Sequence, residues 1–222
     1  MQNWIFDIRS RSFVLLVASF IVVSLLVMSK TTESLDQSVV SFMANNSGNP
    51  IIDFTMQLIT ESGDSFYMLG FGILMLLLKK TRRIGITLMI LIVLSTLLTG
   101  YIKCGVDRER PEYHYEGTSF PVKISKDTFA LFCEGSYNAS FPSGHAARSM
   151  ILGIVLGFAL SERFPRGSYL LLLYPILVSL SRVYVLQHYP MDVVGGALLG
   201  VMLAGVLAKR TKLYKIFEKS KS

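Results

Sequence analysis

The hydrophobic positions of this chain gather in six blocks, running from about Phe13 to Met28, Phe66 to Leu78, Ile84 to Ile102, Ala146 to Leu160, Ser168 to Leu180 and Val193 to Ala208. Each is apolar enough to cross or nearly cross a bilayer, for which ~20 residues are needed. Several are short, so their ends must recruit polar flanks such as Ser62 to Ser65 or Arg182 to Leu186. The pattern predicts an all-α fold, a bundle of six transmembrane helices formed as one domain over residues 1–222.

Composition agrees. The chain is 51% hydrophobic and 17% charged, with a mean hydropathy of +0.50. A soluble domain carries roughly a quarter of its residues as charges, so this chain lacks the polar surface to cover itself in water. Repeats and low-complexity tracts are absent from the sequence, which excludes solenoids and disordered scaffolds. A net charge of +7 would suggest nucleic acid for a soluble protein. In a membrane protein its sign is read loop by loop instead, and no nucleic-acid partner is expected.

Fourteen of the 22 basic residues fall in the N-terminus, the loops Lys79 to Arg83 and Arg163 to Arg166, and the tail from Lys209, beside only Asp7, Glu162 and Glu218. By the positive-inside rule both termini are cytoplasmic. Segments 29–65, 103–145 and 181–192 then face outward from a cell membrane. Arg9 and Arg11 precede the first block in the manner of a signal peptide. No A-x-A site follows it, so it reads as a retained helix. The two cysteines, Cys104 and Cys133, lack the spacing of a metal site, and the choice between a disulfide and two thiols stays open. Asn45 and Asn138 begin glycosylation sequons, meaningful only in a host that glycosylates secreted proteins.

The unexpected chemistry lies on the outward side, in Lys103 to Pro111, Ser140 to His145 and Ser181 to Asp192. Ionisable residues at span ends that do not simply face water invite a functional explanation, because a charge at the bilayer centre costs ~2.5–3.5 kcal/mol. Lys103, Arg110 and Arg182 are cations, and arginine grips phosphate oxygens with a two-pronged fork. Pro142-Ser143-Gly144 opens a helix: Ser143 suits the N-cap, Gly144 permits close backbone approach, and the free N–H groups attract anions. His145 and His188 titrate near neutrality, and Asp192, four residues beyond His188, can accept a hydrogen bond from one of its ring nitrogens. Together these groups describe phosphoryl transfer. Arg108 reads as a snorkelling anchor at the interface. Tyr113, His114, Tyr115 and Glu116 read as a polar aromatic loop, a lid or interfacial belt. Gly196 and Gly200 read as helix-packing positions.

The ordered set, Lys-x6-Arg-Pro, Pro-Ser-Gly-His and Ser-Arg-x5-His-x3-Asp, resembles the signature of the type 2 phosphatidic acid phosphatase family, membrane lipid phosphatases that share a catalytic core with vanadium haloperoxidases. Every fixed position matches: Lys103, Arg110-Pro111, Pro142 to His145, Ser181-Arg182, His188 and Asp192. The resemblance implies that His188 attacks phosphorus to form a phosphohistidine, oriented by Asp192. It further implies that His145 protonates the leaving group and then activates water, and that Lys103, Arg110, Ser143, Gly144 and Arg182 bind the phosphate. It implies a metal-independent reaction with no cofactor. The expected substrate is a lipid phosphate or diphosphate in the bilayer: first a polyprenyl diphosphate such as undecaprenyl diphosphate, then phosphatidylglycerol phosphate, phosphatidic acid or a lipid A phosphate. A phosphotransferase with the same intermediate and a non-enzymatic anion or lipid transporter are the competing readings. Oligomeric state is not legible.

Overall fold

The computed structural model describes residues 8–112, 139–210 and 213. Among them are eight α-helices, one 3-10 helix and no strand. The helices are α1 (Arg11–Met28), α2 (Glu33–Asn46), α3 (Pro50–Ser62), α4 (Ser65–Leu77), α5 (Arg82–Val106), α6 (Gly144–Leu160), α7 (Leu173–Tyr184) and α8 (Pro190–Arg210), with the 3-10 helix Gly167–Leu172 leading into α7. The loop of Tyr113 to Glu116, Cys133, Asn138 and most of the basic tail lie outside the described residues. Cys104 is disulfide-bonded.

Four helical stretches have the length and apolar composition to cross a membrane: α1, α5, Gly167–Tyr184 and Pro190–Leu207. The other two predicted blocks are the shorter apolar helices α4 and α6. At 17 residues α6 is ~25 Å long, less than the ~30 Å hydrocarbon core. It sits at the centre of the bundle, with Ala146, Ile151, Val155, Phe158 and Ala159 all buried. By contrast α1 buries only Val27 and turns Val14, Leu15, Ile21, Val22 and Leu25 outward. In a bilayer that apolar surface is satisfied by lipid.

The core runs from Met68 of α4 through Ile84, Leu88, Leu91 and Ile92 of α5 to Ile151, Ile154, Val155 and Phe158 of α6 and Ala204 of α8. Packing between α6 and α8 is the most extensive of any helix pair. It depends on missing side chains: a Cβ on Gly196 would lie 2.2 Å from the Ser143 carbonyl oxygen, and one on Gly200 would lie 2.5 Å from that of Ala147. The expected packing role of these glycines is thus observed. Close approach of α4 and α5 rests likewise on Gly85, whose Cβ would lie 2.7 Å from the Gly72 oxygen.

Segment 29–65, expected only as an outward stretch, contains two helices. The first, α2, carries Glu33 and Asp36 in its first turn, which favours the positive end of the helix dipole. The start of α3 is marked by Asn49, whose side chain accepts from the Ile51 and Ile52 amides, followed by Pro50 in the first turn. Both are too short and polar for a search tuned to bilayer length. They pack on α7, and α2 also reaches α8.

Candidate active site

Three helix ends and the chain between them build the site. Lys103 lies in the last turn of α5. Asp107, in the left-handed region at φ 45°, ends that helix, and beyond it Arg108 and Pro111 turn inward while Glu109 stays exposed. Arg182, in the polar flank that the fifth block was expected to recruit, occupies the last turn of α7, where its side chain is buried. The helix then closes in a Schellman arrangement: the Leu186 amide donates to the Val183 carbonyl and the Gln187 amide to the Arg182 carbonyl. Leu186 sits at the left-handed position of that turn, φ 56°. A side chain there costs ~1–2 kcal/mol, offset here by its burial against Val40 and Tyr189. The turn delivers His188 and leads into α8 at Pro190, as the sequence indicates.

Backbone and side-chain bonds lace the three motifs together. The Ser140 amide donates to the Arg108 carbonyl at 2.7 Å, joining the first motif to the second. The Ser143 amide donates to the Asp192 carbonyl at 2.9 Å, joining the second to the third. Arg110 closes the ring, with Nη1 donating to Gln187 Oε1 at 2.9 Å. Ser143 caps α6, and its hydroxyl accepts from the Ala146 amide. Gly144 lies beneath the guanidinium of Arg148, where a Cβ would meet Nη1 at 2.9 Å.

His188 is buried beside Asp192, with Nδ1 3.5 Å from Oδ2. Asp192 is itself fully buried; it accepts from the Tyr189 amide at 2.8 Å and from Arg108 Nη1 at 2.8 Å. Burial, reinforced by the positive charges of Arg182, Arg110 and Lys103, holds the His188 imidazolium pKa well below its ordinary value. The imidazole is therefore neutral at physiological pH, the state a nucleophile requires. Lys103 Nζ donates to the Ala139 carbonyl at 2.7 Å, and Arg182 Nη1 to Thr60 Oγ1 at 3.1 Å. His145, at the start of α6, has Nε2 3.9 Å from Asp64 Oδ2 and Nδ1 3.5 Å from Arg148 Nη2. All eight residues singled out as a site in the sequence come to one end of the bundle.

Arg108 corrects the sequence reading. It is no interfacial anchor: its two terminal nitrogens bridge Asp36 Oδ2 at 2.7 Å and Asp192 Oδ1 at 2.8 Å, and its guanidinium lies 4.1 Å above the Tyr189 ring. Span-end position suggested snorkelling, but two buried carboxylates draw the charge inward. Sequence reading also passed over Thr60, Gln187 and Asp36, whose partners stand 122, 77 and 72 residues away. Beside Arg108 and Arg110 opens a cleft of about 360 Å³, bordered by Lys30, Glu33, Gln37 and Glu112. Among the described residues no group of three or more His, Cys, Asp or Glu side chains is placed to hold a metal ion.

The family model described as the PAP2 superfamily matches residues 84–214. A lipid A 1-phosphatase from Rhizobium johnstonii is 30% identical, with 72% of this chain and 70% of that protein covered. An undecaprenyl-diphosphatase from Sulfolobus acidocaldarius is also 30% identical, over 65% of this chain and 64% of the relative. The fold matches that of the transmembrane PAP2 type phosphatidylglycerolphosphate phosphatase from Bacillus subtilis, at a TM-score of 0.72 and 21% identity, covering 94% of this chain and 98% of that one. Aquifex aeolicus LpxE aligns at a TM-score of 0.57 and 22% identity, over 79% and 95% of the two chains.

Proposed function

The chain belongs to the PAP2 superfamily, and on that premise we propose that it removes phosphate from a lipid phosphate or diphosphate at the outer face of the cell membrane, through a phosphohistidine on His188. Membership makes it a hydrolase of phosphoester or diphosphate bonds and a membrane lipid phosphatase. Substrate, intermediate and sidedness are our reading. It is carried by one observation: a buried His188, backed by Asp192, meets Lys103, Arg110, Arg182 and His145 at one end of the bundle.

In this reading His188 Nδ1 faces Asp192, so Nε2 attacks phosphorus in line with the bond to the leaving oxygen. As the new N–P bond forms, the P–O bond breaks and His145 gives its proton to the departing oxygen. Water then attacks the phosphohistidine, losing a proton to His145; inorganic phosphate leaves and both histidines return to their starting states. Lys103, Arg110, Arg182 and the Ser143–Gly144 helix start stabilise the charge spread over the equatorial oxygens, where most of the rate acceleration of phosphoryl transfer arises.

A polyprenyl diphosphate is the lead substrate, supported by the likeness to an undecaprenyl-diphosphatase. A lipid A 1-phosphate is the second, from the likeness to a lipid A 1-phosphatase. The test is phosphate release from purified undecaprenyl diphosphate, lipid A, phosphatidylglycerol phosphate and phosphatidic acid, with chelator present. Release by the wild type and none by His188→Ala supports the reading. Trapped label should survive His145→Ala with a good leaving group and vanish in His188→Ala. No release from the panel, or label on another residue, overturns it.

A further inference from the structure

Asp36 lies outside all three motifs, in the first turn of α2, yet it is fully buried and heavily bonded. It accepts from Arg108 Nη2 at 2.7 Å, from the Met191 amide at 3.1 Å and from Thr32 Oγ1 at 3.1 Å. The other prong of the same guanidinium holds Asp192 Oδ1, while Asp192 Oδ2 is the atom facing His188. Two buried carboxylates therefore share one fork, and the chain of contacts runs from α2 through Arg108 to the nucleophile.

The arrangement does two things. Planar and rigid, the fork pins Oδ1 while the Tyr189 amide holds Oδ2, and together they fix the rotation of the Asp192 carboxylate with Oδ2 toward the imidazole. A guanidinium paired with Asp192 alone would also cancel much of that carboxylate's charge as felt by His188. Asp36 takes up half of the fork, leaving Asp192 negative enough to favour the cationic ring that forms when His188 bonds to phosphorus. Building on the phosphatase reading above, we propose that Asp36 is a positioning residue for the nucleophile, acting on His188 through Arg108 and Asp192.

The experiment measures kcat, KM and the pH profile of kcat/KM for purified full-length protein on the substrate that the wild type dephosphorylates. D36N keeps the shape and removes the charge: kcat should fall roughly tenfold, ~1.4 kcal/mol of transition-state stabilisation, with KM changed less than twofold. The acid limb should also move, since a merely structural tie would leave it in place. His188 is faced by Asp192 from α8, Arg182 from α7, Lys103 from α5, His145 from α6, and Arg108 and Arg110 from the strand of chain after α5. Asp36 stands behind Arg108, and removing its negative charge leaves that guanidinium less neutralised, which disfavours the imidazolium, so the limb shifts to lower pH, by roughly half a unit. T32A, which trims one bond to Asp36 and leaves its charge, should stay within twofold of wild type. If D36N fails to fold, R108K decides: an ammonium cannot fork across both carboxylates, and kcat should drop at least roughly tenfold at constant KM. A folded D36N with wild-type kcat and an unmoved limb overturns the proposal, as does a loss confined to KM or an R108K of wild-type kcat. A wild type that releases no phosphate from any lipid overturns the phosphatase reading itself, and this proposal with it.

Discussion

Replacing Gly196 by Ala tests whether the seam between α6 and α8 sets the site as well as the fold. The added Cβ would lie 2.2 Å from the Ser143 carbonyl oxygen and 3.1 Å from the Ala146 Cβ. Ordinary contact requires over 3 Å, so the helices must part locally by about 1 Å. The obstacle is backbone, not the flexible end of a side chain, and the neighbouring contacts of Gly195 with Phe141 and Gly200 with Ala147 resist a local bend. Overpacking of this kind costs ~1–3 kcal/mol. For a chain of this size that is a fall of roughly 4–8 °C in Tm at the middle of the range. The displaced atoms belong to Ser143, whose amide bonds the Asp192 carbonyl, so the helix start moves relative to His188. A misplacement of that size can lower turnover by on the order of a hundredfold. Thermal unfolding by circular dichroism in detergent, with phosphate release on the same preparation, measures both. Gly70→Ala is the control: nothing lies within 4 Å of its Cβ position, and alanine favours the helix by ~1 kcal/mol. A Gly196→Ala protein that matches Gly70→Ala in both Tm and turnover would refute the argument.

Arg182→Lys and Arg110→Lys keep charge but lose the fork; each should reduce turnover at least roughly tenfold in the phosphate-release assay, ~1.4 kcal/mol of transition-state stabilisation. Because burial and neighbouring cations depress the His188 pKa, the imidazole stays neutral as pH falls through ~6.5, and the acid limb of kcat/KM should lie below that value. Stability follows the same sign: the unfolded histidine takes up a proton near pH 6.5 and the folded one does not, so stability present above that pH is lost progressively below it, which unfolding across pH 5–8 would register. For sidedness, Glu112→Cys in a background with Cys104 and Cys133 replaced by Ser should react with an impermeant thiol reagent in intact cells; reaction only after lysis would reverse the orientation.

Much of the chemistry was readable along the chain because it is local. Ser143 caps the helix that follows it, Pro190 starts the next, and the step from His188 to Asp192 spans a single turn. Hydrophobic length likewise marked the blocks that became α1, α4, α5, α6, α7 and α8, although a composition rule cannot say that the short α6 is the one buried among the other helices. The amphipathic helices α2 and α3 escaped a search tuned to bilayer length, though Asn49-Pro50 is a local start signal that a capping rule can read.

Tertiary structure alone decided the fate of Arg108. Its place at a span end fitted an anchor, and nothing within several residues of it contradicts that. Its partners, Asp36 and Asp192, lie 72 and 84 residues away. Spacing carries information only where the backbone's own geometry fixes distance, over a turn or two of helix. Which distant carboxylates share a guanidinium depends on how α2 packs near α8, an arrangement that no local spacing fixes. The sequence thus determined which groups could transfer a phosphate; the fold decided which of them hold the others in place.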